Sequence, residues 1–476
     1  MVAQTLTLRN FTSTPLELKN IERFAPQEKH KDNGGFHAMA MNLTRKVTEA
    51  ATNVTRAANT AQPLAPDASP FARQDVDIRV DPFATNQTEV KTFENDDKER
   101  LRLTFEVEGE RHLITVPVPT VESAEMRCLT DNPRHRFTGV YLTQESCLAI
   151  FSSARLNAWM QELRDETLLS SLSVPGTHNS PTCHVAPPSV RCQAVSPKVQ
   201  LENGVRFFDI RVQPQNPDDP SKDELVLVHS AFPISLTGNK YFRDLMNEVD
   251  DFLNHNPSET LIVSLKREGT GKATDEQLSR IVRDHYATPE SRWYTDPNVP
   301  TLGEVRGKIV LVRRFNLEEG LKGEHEGRGF GIDGGGWADN TPNATCPAGE
   351  LCIQDFYQVM ESENIDTKIQ YVTEHISRAG AVRYPFGRGG DPNQKYPFFV
   401  NFLSASNFWK TQTWPEKIAA KLNPATVKYL CLDHCNHPDG DWGTGILVTD
   451  WVGLDGDWDL VRCIVGMNAK LKLREN

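Results

Sequence analysis

Four residues able to do acid–base or phosphate chemistry each follow a short apolar run. His178 closes Leu172-Ser173-Val174-Pro175-Gly176-Thr177, and His229 closes Leu225-Val226-Leu227-Val228. Arg211 ends Val205-Arg206-Phe207-Phe208-Asp209-Ile210, and Asp450 ends Ile446-Leu447-Val448-Thr449. Two imidazoles titrating near neutrality can act as a base and an acid. A guanidinium offers phosphate oxygens a planar, permanently charged fork, and a carboxylate can fix the tautomer of a histidine base. Each has a plainer reading too: a histidine at a strand end is commonly structural, Arg211 can pair with a neighbouring acid, and Asp450 can cap a loop. Together they meet the needs of phosphodiester cleavage by an internal hydroxyl, which are a base, an acid and a cation on the phosphate.

The elements that must position them share one rhythm. Further apolar runs at Leu261–Leu265, Ile309–Val312, Leu351–Gln354, Phe398–Leu403 and Ile446–Thr449 deliver Lys266, Arg313 and Arg314, Asp355 and Tyr357, Ser404 and Ser406, and Asp450. Eight buried-type strands, each ending on a polar side chain, predict an α/β fold, a (β/α)8 TIM-type barrel with its site at the C-terminal face. Helical spacing over Tyr241–His255, Asp275–Tyr286 and Ile365–Ile376 supplies crossovers. Residues 213–224 are too rich in Pro and Asp for a helix, and residues 315–350 are Gly-rich, so the barrel is read as irregular and incomplete. The glycines from Gly329 to Gly336 lack the Gly-Lys-Ser/Thr ending of a phosphate loop and are read as a loop over the site.

Residues 1–154 read differently. Alternating runs, with Leu101–Val107 answered by His112–Val118, predict a small β-sandwich-like domain before the barrel of residues 155–476. An insertion at about residues 26–75 holds Phe36, Ala40, Leu43, Val47, Ala51, Val54 and Ala58 at helical spacing, with Arg45, Lys46 and Arg56 on other faces. That suits either a basic amphipathic helix on a lipid surface or an Ala/Thr-rich helix docked on its own domain.

Composition bounds the rest. The 476 residues carry a formal net charge of −12, which excludes a nucleic-acid wrapper. No apolar run reaches about 18 residues, so nothing is expected to span a membrane. The N-terminus has no secretory pattern, and the nine cysteines are expected as reduced thiols of a cytoplasmic protein, at most peripheral to a membrane. Cys183/Cys192, Cys346/Cys352 and Cys431/Cys435 are the pairs that oxidation would join.

Pro175-Gly176-Thr177-His178-Asn179-Ser180, Phe207-Phe208-Asp209-Ile210-Arg211, Leu227-Val228-His229, Ser264-Leu265-Lys266, Ile353-Gln354-Asp355-Phe356-Tyr357 and Val448-Thr449-Asp450 occur in one order. In this the chain resembles phosphatidylinositol-specific phospholipase C, above all the bacterial single-domain enzymes and the X region shared with eukaryotic ones. The resemblance covers about residues 155–476 and leaves out the sandwich. It implies that His178 deprotonates the inositol 2-hydroxyl, which attacks phosphorus, and that His229 protonates the departing diacylglycerol oxygen. Asp450 would orient His178 and Arg211 would hold the phosphate, giving diacylglycerol and inositol 1,2-cyclic phosphate. Lys266, Arg314 and Asp355 match positions that hydrogen-bond inositol, and Tyr357 one that stacks on it.

Animal members bind calcium, and Asn179 is like theirs. Arg211 and Lys266 stand where two of their calcium-binding carboxylates would be, so no calcium and no other cofactor is expected. Asn179, counted with the catalytic residues, replaces the aspartate that partners the arginine in bacterial members, and Asp209 is expected to assume part of that role. The partner implied is an inositol phospholipid at a membrane surface. Whether this is free phosphatidylinositol, a glycolipid anchor or a soluble diester stays open. A glycerophosphodiester hydrolase, or a silent lipid-binding barrel, is the alternative.

Overall fold

A computed structural model describes residues 4–26, 64–65, 67–93, 98–119, 121–153, 155–359, 364–387, 394–407, 409–435 and 439–473. The periodic stretch from Phe36 to Ala58 lies outside them. Two compact units divide the chain, Met1–Ser153 and Ala154–Asn476.

The first unit holds two five-stranded sheets. One follows the order Thr85–Lys91, Thr5–Asn10, Cys147–Ser152, Phe137–Leu142, Ser123–Glu125; the other runs Ala72–Val80, Leu16–Phe24, Arg100–Val107, Glu110–Val116, Arg127–Cys128. They share one core in which Leu6, Leu8 and Leu148 of the first sheet meet Leu18, Leu103 and Phe105 of the second. Leu101, Leu103, Phe105 and Val107 point inward by the period-2 rule. Their hairpin turns on two residues, Glu108 and Gly109, both at positive φ, so the return strand begins earlier than the sequence pattern indicates.

The second unit is a curled, largely parallel sheet. Its strands are β1 Val174–Thr177, β2 Phe207–Pro214, β3 Leu225–His229, β4 Leu261–Arg267, β5 Ile309–Arg314, β6 Leu351–Gln354, β7 Phe398–Phe402 and β8 Ile446–Thr449. Hydrogen bonding follows the order β5-β4-β2-β1-β8-β7-β6, all parallel. Two features depart from a regular eight-stranded barrel. Strand β3 runs antiparallel to β2, Val212 opposite Leu227, because the Pro/Asp-rich link is too short for a crossover and the chain doubles back. Among the described residues β5 and β6 do not pair, so the sheet stays open there. In this gap lies the Gly-rich stretch, whose two-residue strands Ile332–Asp333 and Ala344–Thr345 edge β5 and β6.

Helices α1 Pro197–Glu202, α2 Phe242–His255, α3 Asp275–His285, α4 Asn364–Gly380, α5 Pro415–Leu432 and α6 Asp459–Gly466 follow or link the strands. Each strand feeds two cores. Phe208, Val263 and Leu311 face outward toward the helices, whereas Phe207, Ile262 and Val310 form a layer inside the curl. Gly176 permits that layer, since a Cβ there would sit 3.0 Å from the Phe207 ring.

At the end opposite the site, Arg206 and Glu259 are both fully buried and 2.9 Å apart. The guanidinium also donates to the carbonyls of Leu201, Val205, Leu156 and Asn157 and stacks over Phe252. It thereby joins the entry of β2 to that of β4. Glu259→Ala leaves this cation buried without its anion and should cost about 3–5 kcal/mol, read as a lower denaturation midpoint. A loss no larger than that of an exposed ion pair would show that the network does not carry this end.

Candidate active site

Parallel pairing fixes the top of the curl. Arg211 is registered with Lys266, and Lys266 with Arg314, so three cations stand side by side on β2, β4 and β5. Two carboxylates offset them. Asp209, fully buried, lies 3.2 Å from Arg211 and 3.4 Å from Arg314. Glu268 lies 3.4 Å from Arg211 and 2.9 Å from Lys266, and accepts the Ser230 N–H. Burial opposes ionisation of both acids, but Arg211 outweighs it, helped by Arg314 at Asp209 and Lys266 at Glu268, and both are held below the ordinary carboxylate range. Trp337 lies 3.9 Å from the Arg314 guanidinium and donates its Nε1–H to Asp355. The Nε atoms of Arg211 and Arg314 are buried and have no partner among the described residues.

Beside this row stand the two histidines. β1 and β8 are registered so that His178 comes level with Asp450, and its Nδ1 lies 2.9 Å from the Asp450 Oδ1. Gln193 donates to the carbonyls of His178 and Thr449 and locks the two strand ends together. His229 arrives on the reversed β3, its Nδ1 2.7 Å from the Val190 carbonyl. The two rings meet edge to face, centroids 5.7 Å apart. Burial works to lower the His178 pKa, yet the Asp450 carboxylate outweighs it and raises the value above that of an ordinary histidine. Burial also works to raise the Cys192 thiol, but His229 and His178 bring it down to about 7.

Comparison with known proteins meets this geometry. The family described as "Phosphatidylinositol-specific phospholipase C, X domain" matches residues 169–315. The chain is 30% identical over 292 residues to the 1-phosphatidylinositol phosphodiesterase of Listeria monocytogenes, covering 59% of this chain and 77% of that protein. It is 26% identical over 329 residues to the enzyme of the same name from Staphylococcus aureus, covering 65% and 93%. The chain belongs to the phosphatidylinositol-specific phospholipase C family. Among solved structures, a double mutant of the Staphylococcus aureus phospholipase superposes with a TM-score of 0.52 at 26% identity, over 66% of this chain and 97% of that one.

A cleft of about 620 Å³ opens over the strand ends of this phospholipase C fold. His178, His229, Arg211, Lys266, Arg314, Asp355 and Tyr357 all line it. Asp450 and Asp209 are buried behind the lining, each bonded to a residue that reaches it. Asn179, expected with the catalytic residues, does not line the cleft. It is fully buried at a φ of 40°, its backbone N–H bonded to Asp209 and its side-chain amide without a partner among the described residues. Asp209 and Glu268 are the acids that meet Arg211. Gly334, Gly335 and Gly336 line the cleft; a Cβ on Gly334 would lie 2.9 Å from the Arg313 carbonyl, so only glycine fits so close to the strand end.

Sequence reasoning passed over three residues. Glu268 lies two positions beyond Lys266, on the same strand face but past the apolar run; that period was the available signal. Trp337 sits inside the Gly-rich stretch, and Cys192 comes from a loop, and nothing in the local pattern marks either. Cys183, Cys192, Cys346 and Cys352 are free thiols. The electrostatics give a direct test. Followed by NMR, the His178 ring should titrate above 6.5, and Asp450→Asn should lower that value because the offsetting anion is gone while burial remains. An unchanged titration would mean that Asp450 does not set the charge of His178.

Proposed function

We propose that this chain cleaves phosphatidylinositol, or a related inositol phospholipid, to diacylglycerol and inositol 1,2-cyclic phosphate without a metal ion. The observation that carries this reading is the paired histidines, one oriented by Asp450, beside an Arg211 whose buried Nε has no partner among the described residues. His178, through Nε2, removes the proton of the inositol 2-hydroxyl. That oxygen forms the new bond to phosphorus while the bond to the glycerol oxygen breaks, and His229 supplies the proton the leaving oxygen needs. Arg211 takes the charge that gathers on the phosphate oxygens, and Lys266, Arg314 and Asp355 bind ring hydroxyls. The names of the relatives support phosphatidylinositol as the substrate.

Metal independence has its own support. A hard cation needs several free oxygen ligands, and here Asp209 and Glu268 already bridge Arg211 to Arg314 and Lys266. That also argues against a metal-dependent glycerophosphodiester hydrolase. The intact His178–Asp450 pair argues against a silent lipid-binding barrel.

The expected setting is a lipid surface. Among the described residues no helix is long and apolar enough to cross a membrane. Yet Val185, Phe232 and Leu236 are exposed; Phe232 pairs with His229, and Leu236 is hydrogen-bonded to Val185, which places an apolar rim beside the cleft. Phosphatidylinositol vesicles with excess chelator, followed by phosphorus NMR, test the proposal. A cyclic inositol phosphate should form in the wild type and slow by at least about 10²–10⁴-fold in His178→Ala. A requirement for calcium, or equal rates in the two proteins, would overturn it.

A further inference from the structure

We propose that His178, His229 and Cys192 together form an inhibitory binding site for a thiophilic divalent cation such as zinc. A ring nitrogen of each histidine and the Cys192 sulfur all lie within 4.8 Å of one another, and the sulfur is 3.7 Å from the His229 Nδ1. A tetrahedral zinc with bonds of about 2.0–2.3 Å holds its ligands roughly 3.3–3.8 Å apart, so the site closes by side-chain movements of about 1 Å, the His229 Nδ1 losing its proton and exchanging the Val190 carbonyl for the metal.

The set is built rather than incidental. Cys192 is fully buried, its N–H turned to the Thr182 carbonyl and its own carbonyl accepting from Trp451, so the sulfur is fixed behind the two rings. The Asp450 carboxylate on Nδ1 leaves His178 its Nε2 and supplies the outer hydrogen bond that metal-bound histidines keep. The fourth position is left to a water or a phosphate oxygen from the cleft, which both histidines line. Two imidazoles and a thiol select zinc over calcium or magnesium, so this site is compatible with turnover that needs no metal. The acid–base reaction makes no use of the thiol. Its place within reach of both rings lets a soft metal occupy both nitrogens at once and halt proton transfer.

The binding half of this proposal stands on geometry alone; the inhibitory half rests on the function proposed above. Cobalt titrated into the reduced full-length chain reads binding directly, through a sulfur-to-cobalt charge-transfer band and tetrahedral ligand-field bands. Wild type should show both, and the near-isosteric Cys192→Ser should lose the charge-transfer band. His229→Ala should weaken the ligand-field bands, which keeps the test decisive if Cys192→Ser folds poorly. Cys128→Ser is the control, because Glu110, His112 and Cys128 form a second cluster with donor atoms inside 4.8 Å. In phosphatidylinositol assays zinc should inhibit the wild type and be reversed by chelator. Cys192→Ser, compared with its own metal-free rate, should need roughly 10–100-fold more zinc. A cobalt spectrum unchanged in both site variants, or equal zinc sensitivity in wild type and Cys192→Ser, would overturn the proposal. A Cys192-dependent cobalt band in a protein that turns over no inositol lipid would uphold the metal site and reject the phospholipase reading.

Discussion

Parallel strand pairing sets Arg211, Lys266 and Arg314 in one row, and the rest of the site follows from that constraint. Neighbouring strands are about 4.8 Å apart, and two like charges at that distance repel by about 3 kcal/mol at an effective dielectric of 20. The row persists because Asp209 lies buried one step below it and Glu268 one step above, each shared between two cations. Trp337 covers Arg314 and ties it to Asp355, which brings the Gly-rich stretch to the cleft.

The departures from a regular barrel serve the site. Had β3 continued as a parallel strand, His229 would end on the same rim as its neighbours. Because it doubles back along β2, His229 is carried down toward the level of Ile210 and meets His178 edge to face. The gap between β5 and β6 leaves room for the Gly-rich stretch to enter the cleft wall, where Gly334 tolerates no side chain. The opposite end is closed by the buried Arg206–Glu259 pair, so rigidity and openness fall at different ends of the same strands.

Much of this was legible in the sequence because apolar runs ending on polar residues mark parallel strands and their C-terminal ends together. That pattern put His178, Arg211, Lys266, Arg314 and Asp355 at strand ends, and the family resemblance singled them out from neighbours such as Arg313, which is buried away from the cleft. The direction of β3 was not legible, since a short apolar run reads alike in either direction; the short Pro/Asp-rich link before it carried the information. Glu268 escaped because it follows the apolar run rather than ending it. Cys192 escaped because a loop residue reaches the site through tertiary packing that no local period encodes. Asn179 follows His178 directly in sequence yet is fully buried and does not line the cleft, which adjacency alone does not reveal.

The central claim is that Arg211 does for the phosphate what a metal ion would otherwise do. It is tested most directly by Arg211→Ala assayed on phosphatidylinositol with and without added guanidinium ion. Loss of roughly 10²–10³-fold in kcat, partly restored by guanidinium, is the result this account predicts. Near-normal turnover by the unsupplemented variant would contradict it.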